Sequence, residues 1–200
     1  MRRTNTVFDK LSLEPTDSEL MKLRCDSQSL QYYADMSSFL SSRIHGMNTL
    51  SLLDVGSRTG SGLAFLRLVH HPAAFTRLKF DPVAGIDIDP MFEQIVGMEF
   101  PDIQGLTGDI FDLPDNSWDV VICSHTIEHI PEAEHFVEQL SRIARRYVAI
   151  ACPFAESPLS DDHCRTIDYD FFKKLGFLDI KVFESQHWHS GVVCLAIKAI

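Results

Sequence analysis

Four short apolar stretches constrain this chain most: "LSLLDV" at 50–55, "VAGIDI" at 83–88, "WDVVICS" at 118–124 and "YVAIAC" at 147–152. The first and third are apolar on both faces, which describes strands buried between two layers. Helical periodicity lies between such stretches. Leu63, Leu66 and Val69 begin one apolar stripe, and Ala133, Phe136, Val137, Leu140, Ile143 and Ala144 form another. Pro131 opens this second helix, with Glu132 and Glu134 in its first turn and Arg142, Arg145 and Arg146 in its last, which suits the helix dipole. Strands and helices in alternation require a parallel sheet covered on both faces. "DIQGLTGD" adds a short strand, and "DYDFFKKLGF" a short helix ended by Gly176. The closing strands "LDIKVFES" and "GVVCLAIKAI" are joined only by "QHWHS", a turn holding His187, Trp188 and His189, so they must pair antiparallel. The expected fold is an open, doubly wound α/β sheet ending in a reversed hairpin.

Residues 1–48 differ in character: they are polar and hold no glycine before Gly46. Two helices are expected there, at about 17–25 and 28–44. Leu30, Tyr33, Met36, Phe39 and Leu40 share one face of the second, and Gly46 suits a left-handed cap. This reads as a helical lid or extension before a domain at 49–200.

A formal net charge of -10, without any Lys/Arg-rich run, disfavours a nucleic-acid partner. Five scattered cysteines without a CxxC argue against a disulfide framework or a structural zinc site. The opening "MRRTNTVFDK" lacks the apolar segment of a signal peptide, and no apolar run is long enough to span a bilayer. No membrane partner and a cytoplasmic location are therefore expected; a homodimer is compatible with the sequence.

The first strand runs into "DVGSRTGSG", at the strand end where open α/β sheets bind ligands. No lysine follows Gly60 or Gly62, so the phosphate-loop pattern fails; the dinucleotide pattern fails at its second glycine. In order along the chain, "LLDVGSRTG", "VAGIDIDP", "LTGDIFDLP", "WDVVICSHTIEHI" and "DYDFFKKLGF" resemble the motifs of class I S-adenosylmethionine-dependent methyltransferases of the small, single-domain type. The resemblance implies a Rossmann-like sheet of order 3-2-1-4-5-7-6 with the last strand antiparallel, and S-adenosylmethionine as cofactor. It implies that Gly56, Ser57 and Gly60 bring backbone against the amino-acid end, with Asp54 helping to orient it. Asp87 would hold the ribose diol beside Ile88, Asp109 and Ile110 would flank the adenine, and Ser124 would face the methyl group. For Asp87 and Asp109 the alternative is a cap or turn, and Asp89 before Pro90 fits an N-cap better. Arg58 departs from the family's glycine. It either clamps the cofactor carboxylate or is a surface arginine with ordinary φ/ψ.

The sulfonium is already an activated leaving group, so alignment and water exclusion are the protein's main tasks. His125 is the candidate base for a hydroxyl, or a histidine that only walls the pocket; Glu128 and His129 resemble the group's "EH", which orients the loop or cofactor. "HTIEH" also spells the HxxEH metalloprotease pattern, and small-RNA 3′-end methyltransferases bind a metal from an ExxEH-type run. Because the run begins at a strand end and Pro131 starts the next helix, His125 and His129 need not share a helical face. No metal is therefore expected. His163 and Arg165, in "SPLSDDHCRTI", and Tyr33 are candidates for the acceptor site. The acceptor expected is a small-molecule oxygen. A catalytically silent binding protein and a methyltransferase of tRNA or protein are the alternatives.

Overall fold

A computed structural model describes residues 27–185 and 191–200. The helix expected at 17–25 and the turn residues His187, Trp188 and His189 lie outside the described residues. Helix α1 (Ser27–Arg43) leads to β1 (Thr49–Val55), α2 (Ser61–Val69), β2 (Lys79–Asp87), α3 (Phe92–Glu99) and β3 (Gln104–Thr107). Then come β4 (Trp118–Ser124), α4 (Ala133–Ile143), β5 (Ala144–Pro153), α5 (Tyr169–Lys174), β6 (Asp179–Glu184) and β7 (Val192–Ala199). Single 3₁₀ turns, Ile110–Asp112 and Ile127–His129, follow β3 and β4.

The seven strands are ordered β3-β2-β1-β4-β5-β7-β6, and only β7 runs antiparallel to its neighbours. Successive side chains on a strand point to opposite faces, which divides the core in two. Leu52 and Ile122 face the layer that contains Met36, Leu40, Leu63 and Phe80. Leu53 and Val121 face the layer that contains Val137, Leu140 and Phe172. The doubly apolar strands in the sequence are this sandwiching.

Strand β2 begins earlier than expected, at Lys79, helix α4 begins at Ala133 rather than Pro131, and the junction of α4 with β5 also differs. Helix α4 stops at Ile143, and Ala144, Arg145 and Arg146 already belong to β5. Arg145 is drawn into the start of β5 by Asp119 at 3.2 Å and the Asn116 carbonyl at 2.7 Å. The sequence reading also omitted α3, whose Phe92, Ile95 and Val96 are buried. Asp89 is not its N-cap: Met91 holds that place, and Asp89 Oδ1 accepts from the Met91 N–H at 2.8 Å.

Helix α1 packs its apolar face into the core, with Tyr32, Tyr33, Met36, Phe39 and Leu40 all buried. Ser37 Oγ sits 2.8 Å from His70 Nε2, which fastens the helix to the end of α2. Strands β2 and β4 flank β1 on opposite sides, so the chain reverses its direction of travel across the sheet there. A crevice outside the carboxyl ends of the strands opens at such a point.

Candidate functional site

The turn after β1 has three residues with left-handed backbone: Gly56 (φ 75), Arg58 (φ 52) and Gly60 (φ 74). A Cβ on Gly56 would stand 2.3 Å from Thr126 Oγ1, so no other residue fits without displacing the loop after β4. Arg58 does not have the ordinary φ/ψ of the surface-arginine reading. It pays a conformational cost of about 1–2 kcal/mol for a non-glycine residue in that region. Its N–H donates to Asp87 Oδ2 at 2.8 Å, tying the β1 turn to the end of β2. Its side chain is exposed.

Asp54, one residue before the end of β1, is fully buried and accepts the Tyr33 hydroxyl at 2.6 Å on Oδ2. Burial pushes its carboxyl up to about 6, although the bond from Tyr33 pulls it down. Burial, and then the neighbouring Asp54, push the Tyr33 phenol well above its usual range.

Asp87 is half-buried, with Oδ1 accepting from the Asp89 N–H at 3.0 Å. Each carboxylate oxygen keeps a second lone pair for a ligand. Ile88 is exposed on the surface. Asp109 caps the turn behind it by accepting from the Phe111 N–H at 3.1 Å, while Ile110 is buried. Capping and ligand binding are compatible for a carboxylate, but Asp109 already has the former task.

At the end of β4, Ser124 is buried and its Oγ has no hydrogen-bond partner among the described residues. His125 also has left-handed backbone (φ 52), and its ring stacks on Tyr32 with centroids 3.7 Å apart. Its Nδ1 lies 3.5 Å from Oε1 of the buried Glu128. His163 arrives from the loop after β5, which is clipped in place where the Cys164 N–H donates to the Glu128 carbonyl at 2.8 Å. Arg165 turns away from this group: it pairs with Glu134 and lies 4.9 Å over the Phe171 ring.

These elements enclose a cavity of about 320 Å³. Of the residues singled out in the sequence, Tyr33, Gly56, Ser57, Arg58, Ser124, His125, Glu128, His129 and His163 line it. Asp54, Gly60, Asp87, Ile88, Asp109, Ile110 and Arg165 do not. Tyr32, which the sequence offers beside Tyr33 as a residue that could close over the pocket, lines it too; Thr59, Gly62, Ser160 and Asp162 also line it without having been picked out from the sequence. Gly62 carried a signal: its place is glycine because a Cβ there would stand 2.2 Å from the Tyr33 ring.

Residues 53–152 match the family described as "Methyltransferase domain". The chain belongs to that family of S-adenosylmethionine-dependent methyltransferases, and S-adenosylmethionine is its cofactor. Among solved structures, the chain is similar to an S-adenosylmethionine-dependent methyltransferase from Aquifex aeolicus, with 19% identity and a TM-score of 0.62 over 94% of this chain and 100% of that one. It is similar to magnesium protoporphyrin IX methyltransferase of Synechocystis PCC 6803, solved with bound S-adenosylhomocysteine, with 14% identity and a TM-score of 0.64 over 96% and 92%. A Haloferax volcanii methyltransferase, solved with the Trm112 methyltransferase activator, shares 14% identity at a TM-score of 0.67 over 92% and 94%. No curated protein sequence matches the chain. The residues present fit the cofactor: Gly56 and Ser57 line the cavity at the strand ends, and the buried Ser124 Oγ in the same cavity has no hydrogen-bond partner among the described residues.

Proposed function

We propose that this chain methylates an oxygen of a small-molecule acceptor. The observation that carries this reading is the placement of His125. Its imidazole stands beside the buried carboxylate of Glu128, in a cavity of about 320 Å³ that also reaches the Gly56–Thr59 loop. Helix α1 walls that cavity through Tyr32 and Tyr33, which suits a compact acceptor better than a polymer.

The backbone of Gly56, Ser57 and Gly60 would hold the cofactor's amino-acid end, Asp87 its ribose, and Asp109 with Ile110 its adenine. When bound, S-adenosylmethionine supplies a methyl group on a sulfonium, a leaving group that needs no further activation. His125 is placed to take the proton that an acceptor hydroxyl loses as its oxygen bonds to carbon. Stacking on Tyr32 fixes the imidazole plane, and the Glu128 carboxylate stands 3.5 Å from Nδ1. Tyr32 and Tyr33 keep water from the same space.

Calorimetric titration with S-adenosylhomocysteine tests the cofactor half. Binding is expected, and Asp87→Ala should weaken it about tenfold or more, the loss of a charge-assisted bond to a diol. Incubation with a pool of small hydroxylated metabolites tests the other half: a methylated product, slowed about a hundredfold by His125→Ala, is expected. Absence of binding together with absence of product would overturn the reading.

A further inference from the structure

Glu128 is the side chain that this fold most conspicuously leaves in need of a partner. It is only 1% exposed, and neither carboxylate oxygen has a hydrogen-bond partner among the described residues. A buried carboxylate in that state is costly unless another positive group faces it. His125 approaches no closer than 3.5 Å. On its other side two histidines converge: ligand atoms of Glu128, His129 and His163 all lie within 4.8 Å of one another. The two rings meet edge to face, with centroids 4.9 Å apart.

The outer partners of these histidines fix which ring nitrogen faces Glu128; Asp162 Oδ1 stands 3.9 Å from His163 Nε2. His129 Nδ1 faces the Asp162 carbonyl at 2.9 Å; a carbonyl only accepts, so Nδ1 carries the proton and Nε2 the lone pair. His163 Nδ1 bonds to the Glu156 carboxylate, which the Ser160 hydroxyl also engages at 2.6 Å. That sets the same tautomer. A carbonyl or carboxylate behind Nδ1 is the usual support of a metal-binding histidine. The loop that carries His163 is clipped to the Glu128–His129 turn by Cys164, whose N–H donates to the Glu128 carbonyl and whose Sγ donates to the His129 carbonyl at 3.3 Å.

We propose that Glu128, His129 and His163 form a binding site for a divalent first-row transition cation, zinc foremost. Two neutral imidazoles and one carboxylate suit zinc, and three protein ligands leave a coordination position open. His125, the first histidine of the HxxEH run, is not among these mutually close ligand atoms, and its ring stacks on Tyr32 instead. The expectation of no metal came from weighing that run alone; the third ligand comes instead from the far loop. The site lines the cavity that also holds Ser57 and Ser124. Its open position therefore faces the space assigned to the acceptor, where a cation would lower the pKa of a bound hydroxyl. This last step rests on the oxygen-acceptor reading; the cation site does not.

The full chain, stripped with a chelator, is titrated with zinc and separately with cobalt(II). Zinc should raise the melting temperature in an equimolar, saturable way, and cobalt should give visible absorption bands. His129→Ala, His163→Ala and Glu128→Gln should each abolish the bands, and Glu156→Gln should weaken zinc binding about 10–100-fold. Far-ultraviolet circular dichroism and a cooperative thermal melt of the same variants show that they are folded. No thermal shift and no bands, or unchanged affinity in folded His163→Ala, would overturn the site. Zinc binding without S-adenosylhomocysteine binding would leave the site standing and remove the methyl-transfer reading; the reverse would do the opposite.

Discussion

The Tyr33 hydroxyl donates to Asp54 Oδ2 across 2.6 Å, joining helix α1 to the end of β1 just before the cofactor loop. Both partners are buried, so the bond is made where water cannot replace it. Together with Ser37 and His70 it makes α1 part of the core, and it places Tyr32 and Tyr33 against the pocket.

Tyr33→Phe should therefore cost about 1–3 kcal/mol, because it leaves Asp54 buried without its donor. Urea denaturation of the two proteins measures this. The apolar ring is kept, so a loss near zero would mean that the hydroxyl contributes nothing to anchoring α1.

Stability should fall as pH rises from about 4 to about 6 on account of Asp54. Its carboxyl is raised by burial from 3.8 to about 6 in the folded chain. Between those values the unfolded chain has released a proton that the native chain still holds, so the slope is negative. A two-unit shift corresponds to at most about 3 kcal/mol. Asp54→Asn, which can still accept from Tyr33, should remove this component. Calorimetric stability curves of both proteins should diverge with rising pH across this window and run parallel above it.

Gly62→Ala should destabilise the chain by about 1–3 kcal/mol, the usual range for overpacking. The added Cβ would meet Tyr33 Cδ2 at 2.2 Å, and the ring cannot yield without breaking its bond to Asp54. A thermal melt measures the loss. In a Tyr33→Ala background the same Gly62→Ala change should cost less, since the ring that clashes is then gone.

The strands were legible because burial on both faces leaves a mark that polar substitution would erase, as in "WDVVICS" and its neighbours. The apolar face of α1 was legible for the same reason. Its anchorage was not: Tyr33 and Asp54 are 21 residues apart, and neither residue type announces the other. Arg145 and Arg146 serve a helix terminus or a strand edge equally well, and only Asp119 and the nearby carbonyls decide for the strand. Glu128 and His129 could be picked from their motif, but the loop after β5 had to fold back before His163 could meet them. The left-handed backbone of Arg58 was hidden because an arginine gives no local sign of it.

The backbone component of Arg58→Gly should favour the folded chain by about 0.5–1 kcal/mol. Relief of the left-handed backbone is worth about 1–2 kcal/mol, and the freer unfolded glycine takes back about 0.4–1. The N–H that holds Asp87 is retained by glycine, so the β1 turn and the ribose carboxylate keep their geometry. With its side chain exposed, Arg58 is expected to leave S-adenosylhomocysteine affinity within about threefold, less than the loss of a charge-assisted contact would cause. Urea unfolding and calorimetric titration of the variant check the two halves separately. A drop in affinity well beyond that, with stability raised as expected, would show instead that the guanidinium reaches the cofactor's carboxylate.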